Sequence, residues 1–254
     1  MKLPRWLLSV FGGVLVGGTL PKLGAETFDF EGGHFHLYRV DPSRIHVLDL
    51  IWKDEHGQPL QNFEGLRTYL KARAQKLVFA TNAGIYERGP TPCGLTICSS
   101  VVEVPLSLKK GEGNFYLKPN GVFYVDENQR AGVVVAEEYE GLSIRARIAT
   151  QSGPILLRKG AIHPAFRNPS PNLRQRSGVG VRKSDGQVIF VMSDRDDREH
   201  GRVTFHHLAR TFLELGCEDA LYLDGDISQM TINPGDGSFT PNTFAAMFYV
   251  AEPD

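Results

Sequence analysis

The chain has 254 residues, 41% of them hydrophobic and 22% charged, an ordinary globular composition with ample material for a core. Its formal net charge of −1 supplies no long-range field for nucleic acid or an anionic membrane, so neither is expected as a partner. The 27 glycines and 15 prolines favour many tight turns, and a strand-rich fold over a helical bundle.

Residues 1–25 have the three-part layout of a secretory signal peptide. Lys2 and Arg5 form a basic start, Trp6 to Val16 is nearly all apolar or glycine, and Leu23-Gly24-Ala25 ends a small-residue stretch with a cleavage point after Ala25. Cleavage removes Lys2, Arg5 and Lys22 and no acid, leaving 25 basic against 29 acidic residues. An uncleaved membrane anchor is the alternative, because Leu23 is a weaker cleavage signal than alanine. No other stretch is apolar enough to span a bilayer. Residues 26–254 are therefore expected to form a periplasmic or secreted domain without stable membrane insertion.

In chain order, FHLYRV (35–40) and IHVLDLIW (45–52) read as strands separated by the turn DPSR. QNFEGLRTYLKARA (61–74) has apolar residues at 63, 66, 69 and 70, a helical spacing. KLVFATNAG is a short apolar strand ending at Asn82. Between 93 and 165 the chain reads as short strands: GLTIC, SVVEV, FYLKPNGVFYV, AGVVVA and ARIAT, with a hairpin predicted at the PNG of 119–121. QSGPILL (151–157) follows, then a polar loop, NPSPNLRQR (168–176). SGVGVRKSDGQVIFVMSD (177–194) is a second hairpin with SDG at its turn. VTFHHLARTFLELG (203–216) is the best helix, with Phe205, Leu208, Ala209, Phe212 and Leu215 on one face and Gly216 placed as the residue that ends it. The strand ALYLDGD ends in a carboxylate, and FAAMFYV (244–250) closes the chain. The pattern predicts an α+β fold, one domain, with a mixed, mostly antiparallel sheet and few helices.

Three strand ends carry chemistry. Asn82 has an amide that can donate to and accept from a sugar hydroxyl, and Gly84 lets backbone approach a ligand. Arg176 offers a guanidinium for phosphate, with Arg174 able to serve instead or as well. Asp224, followed by Gly225, Asp226 and Ser228, can act as acid, base or orienting group, and Asp224 and Asp226 together can raise one another's proton affinity or hold a metal. Each also has a structural reading as a turn or surface residue. Gln151 and Ser152 add an amide and a hydroxyl, although Ser152 has no GxSxG setting. Asp194, Asp196, Asp197, Glu199 and His200 form a dense polar loop, and His206 and His207 are expected to be partly exposed on their helix. Of Cys93, Cys98 and Cys217, the first two are near enough in sequence to close a small disulfide loop, and none is marked as a nucleophile. No cofactor is called for, and a bound divalent metal is left open.

The ordered set TNAGIY, PxGL, GNFYLKPNGVFYV, ATQSGP, RSGVGV and ALYLDGDIS resembles the phosphodiester glycosidase family over about residues 75–250. Within that family, built on the domain of the uncovering enzyme, it looks like the YigE-like bacterial branch. The resemblance implies hydrolysis of a sugar-1-phosphodiester in envelope or scavenged glycans, with water as acceptor. Asn82 and Gly84 match the family's NGG-type segment, Arg176 and Gly180 its RxxxG segment, and Asp224, Gly225 and Ser228 its DGGGS segment. It implies catalytic roles for Asp224, Arg176 and Asn82, with Gly84, Gln151, Ser152, Gly180, Gly225 and Ser228 around the substrate. Ala83 stands where the family has glycine, Ile85-Tyr86 where it has an aromatic pair, and Asp226-Ile227 where it has two glycines. Two other readings of the same pocket are a non-catalytic module that binds envelope glycan or phosphate, motivated by the added charge of Asp226, and a metal-dependent phosphodiesterase using Asp224, Asp226 and the Asp194–Asp197 loop.

Overall fold

The computed structural model describes residues 26–254; the signal-peptide reading of residues 1–25 lies outside them. The fold is α+β, a single domain of mostly antiparallel sheets with few helices. Its strands divide among three larger sheets rather than one. A seven-stranded sheet runs in the order Glu26–Phe30, Gly33–Val40, Val188–Ser193, Ser177–Arg182, Cys217–Tyr222, Ile155–Arg158, Ala161–Ile162. A five-stranded sheet has the order Ala131–Val135, Gly121–Asp126, Ala146–Ser152, Thr96–Cys98, Val101–Val104. A four-stranded sheet has Met230–Ile232, Gln75–Asn82, Met247–Pro253 and Leu48–Ile51. Each ladder among the described residues is antiparallel.

The inner faces of the three sheets meet in one aromatic core. Tyr38, Phe79, Phe123, Phe190 and Phe248 are all buried there, with Tyr38 and Phe79 stacked at 3.8 Å between ring centroids. Each helix covers an outer face. Phe63–Lys71 is capped by the Asn62 side chain, which accepts from the Gly65 N–H at 2.8 Å, and it buries Phe63, Leu66 and Leu70 against the four-stranded sheet. Phe205–Glu214 is capped by Thr204 and buries Leu208, Ala209 and Phe212 against the seven-stranded sheet. Gly216 ends it with φ +81°, a conformation that glycine adopts without strain. No helix among the described residues is long and apolar enough to cross a membrane.

The SDG hairpin forms as expected, with Gly186 at φ +75°. The PNG hairpin does not. The strand Gly121–Asp126 begins at that glycine and turns back through residues 127–130, where Gln129 takes φ +62°. Asn120 is instead buried, and its amide donates to the Phe115 carbonyl at 2.8 Å, so it staples a loop rather than turning a ladder. The segments flanking DPSR also part company: one strand joins the seven-stranded sheet and the other, after a 3₁₀ turn at Pro42–Val47, the four-stranded sheet. All three cysteines carry free thiols; burial pushes Cys93 up to about 11 and Cys98 and Cys217 up to about 12, far from thiolate chemistry.

Gly178 and Gly180 thin the central strand so that Phe212 can lie against it. A Cβ on Gly180 would come within 2.7 Å of the Phe212 ring and 2.9 Å of the Cys217 sulfur. Gly180→Ala is therefore expected to destabilise the protein by about 1–3 kcal/mol through overpacking. A urea titration in which its midpoint matches the parent's would show that the helix can shift to admit the methyl group.

Candidate functional site

Chain topology creates the site. After Tyr222 the chain leaves the seven-stranded sheet, turns through 224–229, and returns as Met230–Ile232 beside Gln75–Asn82 of the four-stranded sheet. That crossover draws the ends of the 82, 177 and 224 segments together. Beyond Asn82 the chain then runs against Ala146–Ser152 of the five-stranded sheet, so three sheets meet at one point.

Ser177 is the hub, a residue that sequence reasoning did not single out. Its N–H donates to the Asp224 carbonyl at 2.9 Å, and its own carbonyl accepts from the Leu223 N–H at 3.0 Å. Its hydroxyl lies 2.8 Å from the Ser228 hydroxyl and 3.3 Å from the Asp224 nitrogen. The Asn82 amide reaches the same hydroxyl at 3.5 Å, while its oxygen accepts from the Gln229 N–H at 3.2 Å. Asn82, Ser177 and Ser228 are all buried. The available signal was a small hydroxyl residue at the mouth of a strand, between Arg176 and Gly178.

Gly84 and Ser152 belong to the same junction. A Cβ on Gly84 would sit 2.5 Å from the Gln151 carbonyl oxygen, so the strand it crosses demands glycine. The Gly84 N–H donates to the Thr150 hydroxyl and the Ile85 N–H to the Ser152 hydroxyl, which itself donates to the Leu223 carbonyl at 2.9 Å. Ser152 thus ties the 82–85 turn to the Asp224 strand. Gly225 is there for another close approach, since a Cβ would meet the Tyr222 hydroxyl at 2.7 Å.

Asp224 brings a carboxylate to the cluster. Its Oδ1 accepts from the Gly225 N–H at 2.7 Å, a contact that favours the ionised form. Burial outweighs it and, with help from the neighbouring Asp226 charge, raises the carboxyl to about 6. The side chain nonetheless keeps a partly open face. Ionised Asp224 also raises Tyr86 and Cys93, which places both in its field.

Arg176 is fully buried. Its Nε donates to the Val203 carbonyl at 2.8 Å and Nη2 to the Asn172 carbonyl at 3.1 Å. The guanidinium lies 3.7 Å over the Phe205 ring and 5.8 Å from the centre of the Tyr222 ring. It makes no ion pair with a described carboxylate, and burial lowers its proton affinity. Its fork is turned to backbone carbonyls rather than into an open cavity. Exposed Arg174 reaches the rim instead, in a 3.1 Å pair with Asp226.

Two residues of the expected substrate set lie elsewhere. Gln151 uses its amide oxygen to accept from the Leu95 and Ser107 N–H groups and its amide nitrogen to donate to the Ser107 carbonyl. It holds a loop, and its side chain is buried. Gly180 lies under Phe212 on the helix-covered face. The acidic loop after Ser193 also turns inward: Asp194 accepts from the Asp196 N–H and Asp197 from the Glu199 and His200 N–H groups. Among the described residues no three His, Cys, Asp or Glu side chains are grouped to hold a metal ion.

Comparison with known proteins places this geometry in context. Residues 75–250 match the family model for phosphodiester glycosidase. The uncharacterized protein YigE of Escherichia coli (strain K12) is 32% identical over 199 residues, 78% of this chain and 74% of that protein. The zebrafish N-acetylglucosamine-1-phosphodiester alpha-N-acetylglucosaminidase catalytic domain, solved auto-inhibited by its pro-peptide, superposes with TM-score 0.63 at 16% identity, covering 92% of this chain and 85% of that one. A hypothetical protein from Synechocystis shares the fold at TM-score 0.55 and 14% identity, over 89% of this chain and 61% of its own.

The raised Asp224 carboxyl has a consequence for stability. The folded state holds this proton more tightly than an unfolded chain, about 6 against 3.8. The resulting contribution is complete below about pH 4 and is lost as pH rises through 6. Asp224→Asn keeps the acceptor for Gly225 and removes the charge, so it should melt a few degrees above the parent at about pH 8 and level with it at about pH 4. Equal melting temperatures at about pH 8 would contradict the burial of this carboxylate.

Proposed function

The chain belongs to the phosphodiester glycosidase family, and on that premise we propose that it is a hydrolase cleaving a sugar-1-phosphodiester in cell-envelope or scavenged glycans. The observation that carries the reading is the convergence of Asn82, Ser177, Asp224 and Ser228, from segments separated by up to 146 positions, in one hydrogen-bonded cluster. Asp224 supplies that cluster's only carboxylate. The zebrafish relative is named for its action on an N-acetylglucosamine-1-phosphodiester, and the same bond class is inferred for this chain. We further infer that the domain works in the periplasm or outside the cell, from the signal-peptide pattern of residues 1–25.

The bond chemistry assigns the roles. In a sugar-1-phosphodiester the leaving group is a phosphate monoester, already a weak base, so departure needs little protonation. The need is for an ionised carboxylate at the anomeric carbon. Water adds through oxygen to that carbon, its proton passes to Asp224, and the bond to phosphate oxygen breaks with the electron pair leaving on the phosphate. Asn82 and Ser228 orient the 224–229 turn. Arg176 acts as a fixed positive charge behind the reacting centre rather than as a phosphate clamp. Asp226 does not by itself favour a binding-only module, because Arg174 pairs with it at the rim and offsets part of its charge.

The purified protein, assayed on a panel of sugar-1-phosphodiesters, should release free sugar with kcat/KM rising through a single ionisation near 6 as pH increases. Asp224→Asn should fold and lose about 100-fold or more in kcat. A folded parent that releases no sugar from any panel member would overturn the proposal. A pH profile falling above 6 would reverse the role of Asp224 to that of an acid.

A further inference from the structure

The loop between Ser193 and Val203 is wound so that Asp194 and Asp197 are bonded within it while its arginines are left unpaired. Gly201 makes the winding possible: its N–H donates to the Asp197 carbonyl at 2.9 Å, and any Cβ there would strike the Asp194 backbone. The Asp194 and Asp197 carboxylates bond the loop's own N–H groups, and their second oxygens face His36 at 3.3 Å and His200 at 3.1 Å. Arg195, Arg198 and Arg202 are exposed and share a cleft of about 520 Å³ with Gln175, Asp194, Gly201 and Asp226. None of the three makes a side-chain hydrogen bond or ion pair with a described residue. Of the two carboxylates that line the cleft, Asp194 is held by the Asp196 N–H and His36 and Asp226 is paired with Arg174 at the rim, while Asp196 lines a neighbouring cavity that Arg195 also borders. The cleft therefore concentrates three unanswered guanidinium groups on one wall.

This cleft adjoins the candidate site. Gln175 directly precedes Arg176, and Asp226 lies two residues beyond Asp224 and raises its proton affinity. A ligand bound at Asp224 and extending toward Asp226 would enter it. Three guanidiniums in so small a space repel one another unless an anion joins them, and their planar forks match phosphate oxygens. A single scissile diester carries one negative charge, too little for three. We propose that the cleft holds the aglycone side of the substrate, and that this aglycone carries at least one further phosphate. The proposal rests on the hydrolase reading above for the word aglycone, but the anion cleft itself does not.

Two measurements separate these. Calorimetric titration with tripolyphosphate at about 50 mM salt should detect binding that weakens as salt rises, and that falls at least about tenfold in Arg195→Gln/Arg198→Gln/Arg202→Gln. No binding by the parent, or equal binding by a folded triple variant, overturns the cleft. Next, two sugar-1-phosphodiesters are compared, one with a plain alkyl aglycone and one with the same alkyl chain ending in phosphate. The parent should show a KM about tenfold lower for the phosphorylated substrate, and the triple variant a ratio near one. Equal KM values in the parent overturn the assignment of the cleft to the aglycone. Tripolyphosphate binding with neither substrate hydrolysed would sink the hydrolase reading and leave the anion cleft standing.

Discussion

The site depends on a single polar seam at the end of the central strands. Ser177 opens its strand one residue beyond the regular pairing of Gly178 with Tyr222, and both its backbone groups are used in bonds to Leu223 and Asp224. The hydroxyl is therefore the only group it has left to offer, and Asn82, Asp224 and Ser228 all use it. A buried hydroxyl with that many partners is fixed in orientation, because losing any partner leaves a polar atom without water or protein to satisfy it. The seam joins the seven-stranded sheet to the four-stranded one, while Ser152 carries it on to the five-stranded sheet. Three sheets that pack mainly through aromatic side chains are thereby held in register at the point where chemistry is proposed.

The fold tolerates a buried cation next to this seam by surrounding it with dipoles. Removing a guanidinium from water is unfavourable by several kcal/mol without compensation. For Arg176 the compensation comes from two backbone carbonyls and the face of Phe205, with the Tyr222 ring close by. Cation–π contact in a desolvated setting contributes on the order of 2 kcal/mol. Phe205 is itself stacked on Phe166, and Phe166 on His163, which extends the support into the loop ahead of Arg176. With no carboxylate beside it, this charge stays available to the field of the site. Tyr222 is the connection, since its hydroxyl feels Arg176 on one side and Asp224 on the other.

Much of the scaffold could be read from the sequence because its signals are local. The 3.6-residue spacing of Leu208, Ala209 and Phe212 and the glycine at 216 define a helix without knowledge of anything else. The SDG turn between two apolar runs likewise carries its own register. The PNG reading failed because the same residues suit a loop whose Asn is claimed by a distant carbonyl, a tertiary contact no window contains. Asn82, Arg176 and Asp224 were legible as polar residues at strand ends, a placement that repeats three times. Their partners were not. Ser177 gives no signal until the crossover at 224–229 brings it against Ser228, and Gln151 resembles a ligand-binding amide until the loop at 95–107 is seen closed over it. Nor does a string of alternating acids and arginines say which side chains will turn inward.

Two of the three departures from the family pattern, Ala83 and Asp226-Ile227, make physical sense in place. Ala83 is buried in the aromatic core, where a methyl group fills space that glycine would leave. Ile227 packs against the cluster of Phe63 and Phe244 under the first helix, so it anchors the far side of the turn that presents Asp224. Asp226 puts a second carboxylate two residues from the first, and two effects compete there. It raises the proton affinity of Asp224, but it also draws Arg174 across the rim, which limits that effect and keeps the mouth near neutral. Both partners of that pair are well exposed, so the pair is weak and screened by salt. An anion approaching the cleft meets a rim that can rearrange, backed by arginines with no other partner. A glycine at 226 would leave Arg174 free as a fourth cation. The substitution therefore divides the surface into a neutral mouth over Asp224 and a positive wall beside it, a division that suits a substrate whose charge lies to one side of the bond being cut.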